Sequence, residues 1–183
     1  MNQSISKKVE SKINEDLSPT KNLTGLHLKV VASIAIIWSL FQLWYASPFP
    51  FMFNIGMFKG LPARAIHLGF ALTLAFLIFP TFKGKKISIF DIIISLIGAS
   101  SCLYIYFFYD QLVDRGGVLL NIPLGENFNL PIELIIGSSG ILILLEATRR
   151  AIGLPLVIIA ISFLLFSYFG RYAPEIISHG GLS

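Results

Sequence analysis

Charged residues are scarce in this sequence. Asp, Glu, Lys and Arg make up 13% of its 183 residues, whereas a soluble domain carries about 25%. Hydrophobic residues make up 55%, and the mean hydropathy is +0.76. This composition argues against a soluble domain and predicts an all-α, polytopic membrane protein. The net charge of +4 is modest and the basic residues cluster in a few loops, so no nucleic-acid partner is expected.

The sequence has one cysteine and lacks the motifs of common enzymes. The single Cys102 lies in an apolar segment, which excludes an intrachain disulfide and a cysteine-based zinc cluster. The sequence has no HExxH, Walker or GxSxG motif and no paired carboxylates midway along an apolar segment. We therefore expect no enzyme, and no metal-binding or cofactor-binding residues. Ionisable residues lie near the ends of the apolar segments, which argues against a complete ion-coupled carrier.

Five apolar segments are long enough to cross a bilayer. They cover about residues 28–46, 63–82, 87–109, 130–148 and 151–169. Ahead of them, the polar residues 1–27 predict a solvated cytoplasmic arm. After the first segment, Pro48 and Pro50 predict that the helix cannot continue. Residues 110–130 are predicted to form a polar loop, because they are rich in Gly and Pro and show no helical period.

The basic residues predict how the chain lies in the membrane. Of the 14 Lys and Arg residues, ten fall on one side of the five segments and four fall on the other. The larger set is Lys7, Lys8, Lys12, Lys21, Lys29, Lys83, Lys85, Lys86, Arg149 and Arg150, and the smaller set is Lys59, Arg64, Arg115 and Arg171. Because basic loops stay in the cytoplasm, the N-terminus is predicted to be cytoplasmic and the C-terminus periplasmic.

Two groups of charged residues are candidates for subunit contacts or membrane anchoring. Arg64 and His67 share a helix face near the outer end of the second segment. They predict either a snorkelling arginine with a hydrogen-bonded histidine, or a polar contact with a partner subunit. Glu146, Arg149 and Arg150 have the spacing of a local ion pair, with Arg150 facing lipid phosphates. The alternative for this group is a cytoplasmic clamp on a second subunit.

Small residues and helix breakers predict how the segments pack. Residues 98–101, Gly-Ala-Ser-Ser, offer a surface where another helix can approach closely. Asp91 lies near the cytoplasmic end of the third segment and is predicted to belong to the membrane interface. Residues 130–169 form either two spans or one long helix, and Gly153 and Pro155 favour two.

Two stretches resemble a known family. Residues 145–155 read Leu-Glu-Ala-Thr-Arg-Arg-Ala-Ile-Gly-Leu-Pro and precede an apolar segment that ends in Ser-Tyr-Phe-Gly at residue 170. They resemble the corresponding region of tripartite ATP-independent periplasmic (TRAP) transporter permeases, of the fused type used with TAXI-class binding proteins. Residues 64–77, with Pro80 after them, resemble the second membrane segment of the same proteins. The resemblance covers roughly residues 28–183.

The resemblance implies a division of the chain. In that family a four-helix small (Q-type) domain is joined through an extra helix to a large (M-type) domain, which carries the substrate and sodium sites. Residues 28–148 would then form the small-subunit-like membrane domain, and residues 149–183 the connector helix and a periplasmic tail. The sequence ends about where the large domain would begin, so no substrate or sodium residue is carried over.

The resemblance also implies a function. The chain would be the small scaffold component of a sodium-driven TRAP transporter for organic acids in the cell inner membrane. Its partners would be the large M-type permease subunit or domain, membrane lipids, and a TAXI-type periplasmic binding protein. The binding protein would dock on residues 47–62, 110–130 and 170–183. The chain is then either a separate subunit or part of a longer fused permease. The alternative is an orphan N-terminal fragment, or a standalone membrane interaction protein, without transport activity.

Overall fold

The computed structural model describes residues 25–81, 88–116, 118–123, 129–172, 174, 177 and 178. Within these residues the helices are α1 (Leu26–Ala46), α2 (Phe49–Phe53), α3 (Gly60–Ile78), α4 (Ile89–Asp114), α5 (Ile132–Ala151) and α6 (Leu154–Phe169). Strands β1 (Asn121–Pro123) and β2 (Asn129–Pro131) pair antiparallel, and a 3-10 helix, Gly170–Tyr172, follows α6. Residues 1–24 of the predicted cytoplasmic arm lie outside the described residues.

Helix α3 lies at the centre of the bundle. Its core with α4 and α5 consists of Leu72, Phe76, Cys102 and Ala147. On another face, α3 packs against α1 through Val31, Leu74 and Leu77. Helix α6 packs against α5, and Val157 is its buried residue. The helices α1, α3, α4 and α5 therefore share two packed clusters, while α6 lies on their outside.

Antiparallel packing gives the bundle two ends, the Asp91 end and the Glu133 end. At the Asp91 end, the residues after α3 meet the start of α4 and the last turn of α5, through contacts of Asp91 with Thr81 and Arg150. At the Glu133 end, the end of α4 meets the start of α5 through an ion pair between Arg115 and Glu133. Each of α3, α4 and α5 therefore runs from one end to the other.

Three of the helices could cross a membrane by length and composition. Among the described residues these are α1, α3 and α4, with 21, 19 and 26 residues. Helix α6 is strongly apolar but has 16 residues. Helix α5 has 20 residues, and four of them are ionisable: Glu133, Glu146, Arg149 and Arg150. The helical fold is confirmed and is compatible with a membrane location, whereas the count of five spans stays a prediction.

Several predicted boundaries are wrong by a few residues. Helix α3 begins at Gly60 and not at residue 63, so Pro62 lies inside its first turn, where its missing N–H costs nothing. It ends at Ile78, before Pro80, although residue 82 was the predicted end. The predicted loop 110–130 is also wrong in part: α4 continues to Asp114, and β1 and β2 follow. Gly116, just beyond the end of α4, adopts the left-handed backbone conformation that commonly follows a helix.

The prolines after α1 end that helix as predicted, but they do not prevent a second, short helix from forming. Helix α1 ends at Ala46, in agreement with the prediction that it cannot continue. The chain then forms the one-turn helix α2, because Pro50 lies at its first positions, where proline is tolerated. Phe51 and Met52 of α2 are strongly exposed. The aromatic stretch is therefore a short helix with an apolar surface at the Glu133 end.

The break between α5 and α6 confirms that residues 130–169 form two helices. Helix α5 ends at Ala151, and Gly153 adopts a φ of 110°, which a side chain with a Cβ rarely adopts. Pro155 lies in the first turn of α6, where a proline is well placed. The two residues that favoured a break are the ones that make it.

The predicted small-residue surface on α4 is confirmed. A Cβ built on Gly98 would lie 2.9 Å from Cγ2 of Ile143 and 3.3 Å from Cδ1 of Leu72. One turn further along, a Cβ on Gly140 of α5 would lie 3.5 Å from Cβ of Ser101. The distances at Gly98 leave no room for a Cβ without a shift of its neighbours, whereas a Cβ at Gly140 would make an ordinary contact. Helices α3, α4 and α5 therefore approach one another most closely at Gly98.

We expect Gly98→Leu to destabilise the bundle, because overpacking a tight helix contact costs about 1–3 kcal/mol. The matched control is Gly137→Leu, since a Cβ at Gly137 meets nothing within 4 Å. Thermal unfolding of the purified chain in detergent, followed by circular dichroism, should show a lower midpoint for Gly98→Leu than for the control. Equal midpoints for the two variants would show that the contact at Gly98 is not tight.

Candidate functional site: buried ion pairs at both ends of the bundle

Asp91 is the centre of a polar network at the Asp91 end. It lies in the first turn of α4, where its carboxylate and Ser88 form a capping box. The side chain also accepts hydrogen bonds from the backbone N–H and the hydroxyl of Thr81. Its relative exposure is 0%. A single carboxylate therefore ties the residues after α3 to the beginning of α4.

Arg150 neutralises that carboxylate. Its Nη1 lies 2.7 Å from Oδ1 of Asp91, and its Nε lies 2.7 Å from Oε1 of Glu146. The guanidinium also lies over the Phe76 ring, 4.8 Å from the centroid, and Nη1 donates to the Phe79 carbonyl at 3.4 Å. Its side chain is 5% exposed. Burial of an arginine is costly unless its donors are satisfied, and here two carboxylates, a carbonyl and an aromatic face surround it.

The predicted ion pair among Glu146, Arg149 and Arg150 is confirmed. Arg149 donates Nε and Nη2 to the Glu146 carboxylate at 2.7 and 2.8 Å, in the forked geometry that suits a carboxylate. Arg149 is half exposed, so it is the member of the group that can face lipid or a partner.

One expectation at this end is wrong. Arg150 does not face lipid phosphates, because its side chain is buried and paired with Asp91. The side chain of Asp91 is fully buried within the bundle, and its position at the depth of the membrane interface stays a prediction. The two residues are 59 positions apart, so spacing along one helix could not reveal the pair. The Ser88-x-x-Asp91 pattern indicates a capping box at the start of a helix, and it carries no information on burial.

A second network lies at the Glu133 end. Oε1 of Glu133 accepts from Nη2 of Arg115 at 2.5 Å and from the Tyr104 hydroxyl at 2.9 Å. Its other oxygen accepts from the Leu120 backbone N–H at 2.7 Å. The hydrogen bond from Arg115 to Glu133 holds the pKa of the guanidinium above its usual value. This network joins α4, the segment that leads to β1, and the start of α5.

Arg64 and His67 occupy a third position, on the face of α3 that meets α1. Nδ1 of His67 accepts from the Trp38 indole N–H at 3.3 Å, and Nε2 of Gln42 lies 3.3 Å from the same atom. The Trp38 and His67 rings meet edge to face, with centroids 4.9 Å apart. The hydrogen-bonded histidine is therefore confirmed. Arg64 is exposed, and its contact with a partner subunit stays a prediction.

The ion pairs at the two ends of the bundle hold its helices together. The buried carboxylates of Asp91 and Glu133 each face an arginine within this chain. Among the described residues, no group of three His, Cys, Asp or Glu side chains is arranged to hold a metal ion. Comparison of the chain with family models, curated proteins and solved structures finds no match.

We expect Arg150→Gln to be strongly destabilising, because removing one member of a buried ion pair costs about 3–5 kcal/mol. The control is Lys59→Gln, which breaks the exposed pair between Lys59 and Asp110 and should change stability little. Unfolding in detergent by heat or denaturant measures both. The double variant Asp91→Asn/Arg150→Gln should lose less stability than the sum of the two single variants. An Arg150→Gln variant as stable as Lys59→Gln would contradict the role of the pair.

Proposed function

We propose that the chain is the small membrane component of a TRAP-type secondary transporter for organic acids, driven by a sodium gradient. One observation carries the proposal. In α1, α3, α4, α5 and α6, the middle third of the helix contains no Asp, Glu, Lys or Arg. The buried charges lie at the two ends and are paired within the chain. Such a bundle supplies rigid support in a membrane and leaves the ion-coupled site to a partner.

The proposed topology has five spans, with the N-terminus in the cytoplasm and the C-terminus in the periplasm. Besides the three candidate spans, α5 has 20 residues, or ~30 Å at 1.5 Å per residue. Helix α6 with its 16 residues reaches ~24 Å. The half-exposed Arg149 lies at the Asp91 end, and the basic residues 83–86 shortly precede Asp91 in the sequence. This supports a cytoplasmic location for that end.

The proposed division of the chain places the scaffold in residues 28–148 and the connector in residues 149–183. Helix α6 supports a connector role, because most of its apolar side chains are exposed. Phe163, for example, is 68% exposed. Such a surface needs lipid or another helix to cover it. In this proposal it contacts the large M-type permease part in the inner membrane.

The proposed docking surface for a TAXI-type binding protein lies at the Glu133 end. Helix α2 and the β-hairpin belong to the predicted docking segments 47–62 and 110–130, and both follow helices that end there. Exposed apolar side chains of α2, such as Phe51 and Met52, could contact a partner or the membrane surface. Of the tail 170–183, the structure describes the 3-10 helix and residues 174, 177 and 178.

Co-purification tests the assembly. The tagged chain, extracted from native membranes in mild detergent, should bring along one large multi-span protein in a stoichiometric amount, as identified by mass spectrometry. Phe163→Ala on α6 should reduce the recovered amount, because it removes exposed apolar surface. Leu96→Ala, on an exposed position of α4, is the matched control. Recovery of the chain alone would favour the alternative, a fragment or interaction protein without transport activity.

Uptake measurements test the transport role separately. Deletion of the chain should lower sodium-dependent uptake of small organic acids into cells, and expression of the intact chain should restore it. Membrane fractions must contain the large permease part at an unchanged level, so that the loss reflects function and not missing insertion. Undiminished uptake in the deletion strain would overturn the proposal.

A further inference from the structure

A groove lies between α1 and α3 at the Glu133 end of the bundle. Its volume is about 540 Å³. Its walls are largely apolar and include Phe41, Tyr45, Leu68 and Ala71. From Ala63 to Ala71 it follows α3 for ~12 Å, at 1.5 Å per residue. Both helices are candidate membrane spans, so an open groove between them is accessible to lipid.

Arg64 and His67 line the α3 side of this groove. Arg64 has neither an ion pair nor a hydrogen bond among the described residues, and its side chain is exposed. Nδ1 of His67 receives the indole N–H of Trp38. Because that N–H can only donate, Nδ1 accepts, and the ring proton lies on Nε2. No partner of Nε2 is found in the part of the chain that the structure describes. Arg64 and His67 lie three residues apart, so both donors lie on one helix face.

Among the described residues, Arg64 is not paired with a carboxylate at this end. Lys59 pairs with Asp110, and Arg115 pairs with Glu133. Asp114, the carboxylate left over there, lines a separate pocket together with Arg115. Arg64 is the remaining arginine at this end whose side chain the structure describes, and it has no acidic partner there. A guanidinium with free donors suits a phosphate oxygen. An apolar groove beneath it suits a hydrocarbon chain.

We propose that the groove between α1 and α3 binds an anionic phospholipid. Its phosphate lies against the guanidinium of Arg64 and the Nε2–H of His67, and one acyl chain lies along Phe41, Leu68 and Ala71. An amphiphile satisfies both features at once, because one molecule carries the anion and the apolar chain. The proposal requires that the chain lies in a membrane, and it does not require that the chain belongs to a transporter.

Fluorescence of Trp38 tests the proposal, because its ring contacts His67 at the groove. The chain has two tryptophans, so Trp44→Phe leaves Trp38 as the sole fluorophore. The purified full chain is titrated in mixed micelles with phosphatidylglycerol or phosphatidylcholine whose acyl chains carry bromine, a contact quencher. Half-maximal quenching should need about fivefold less phosphatidylglycerol, the factor that one basic side chain contributes at an anionic lipid surface.

Three variants on the Trp44→Phe background separate the lipid site from general charge. Arg64→Gln should abolish the preference for phosphatidylglycerol, and Arg64→Lys should retain part of it. Lys59→Gln removes a positive charge at the same end but outside the groove, and should leave the preference unchanged. Circular dichroism and size-exclusion profiles establish that each variant is folded.

A fourth variant tests the acyl-chain part of the site. Ala71→Phe fills the groove without changing charge, and should weaken quenching by both lipids. Equal quenching of the parent chain by the two lipids would overturn the proposal. So would a preference that survives Arg64→Gln, or one that is lost equally in Lys59→Gln. Absence of quenching by either lipid would show that the groove holds no acyl chain.

Discussion

The arrangement of the helices depends on how one buried arginine is neutralised. Arg150 lies at the end of α5, close to the break at Gly153, and its side chain is enclosed by the bundle. An unpaired guanidinium in that position would cost several kcal/mol, so Asp91 must stay within hydrogen-bonding distance. Asp91 is itself held by Ser88 and Thr81. The end of α5, the start of α4 and the residues after α3 are therefore fixed relative to one another by one charge pair.

The same principle operates at the opposite end, where Glu133 gathers Arg115, Tyr104 and the Leu120 backbone. Between the two networks the helices meet at small residues such as Gly98 and Gly140. Close backbone approach gives dispersion contacts but little directional information. Hydrogen bonds to buried carboxylates are directional and costly to break. The polar ends therefore determine the register of the helices, and the small residues determine how closely they approach.

Much of the helical content could be predicted from the apolar segments, and the break before α6 from Gly153 and Pro155. The C-terminal end of α4 could not be predicted in this way. Residues 110–114 lack the apolar period, but they continue the helix that precedes them. The pairing of Asp91 with Arg150 escaped prediction for a different reason. Helical spacing relates residues three or four positions apart, whereas this pair arises from tertiary packing of α4 against α5. The same limit applies to the contact between Trp38 and His67.

Some charged groups and apolar surfaces are paired or covered within the chain, and others are exposed. Asp91, Glu133 and Arg150 belong to the first class, since ion pairs within the chain neutralise them. Arg64 and the exposed apolar face of α6 belong to the second. A cation beside an apolar groove calls for an amphiphile, and an uncharged apolar helix calls for lipid or another helix. The two surfaces therefore differ in chemistry: the one at α3 combines a cation with an apolar groove, and the one at α6 is apolar throughout.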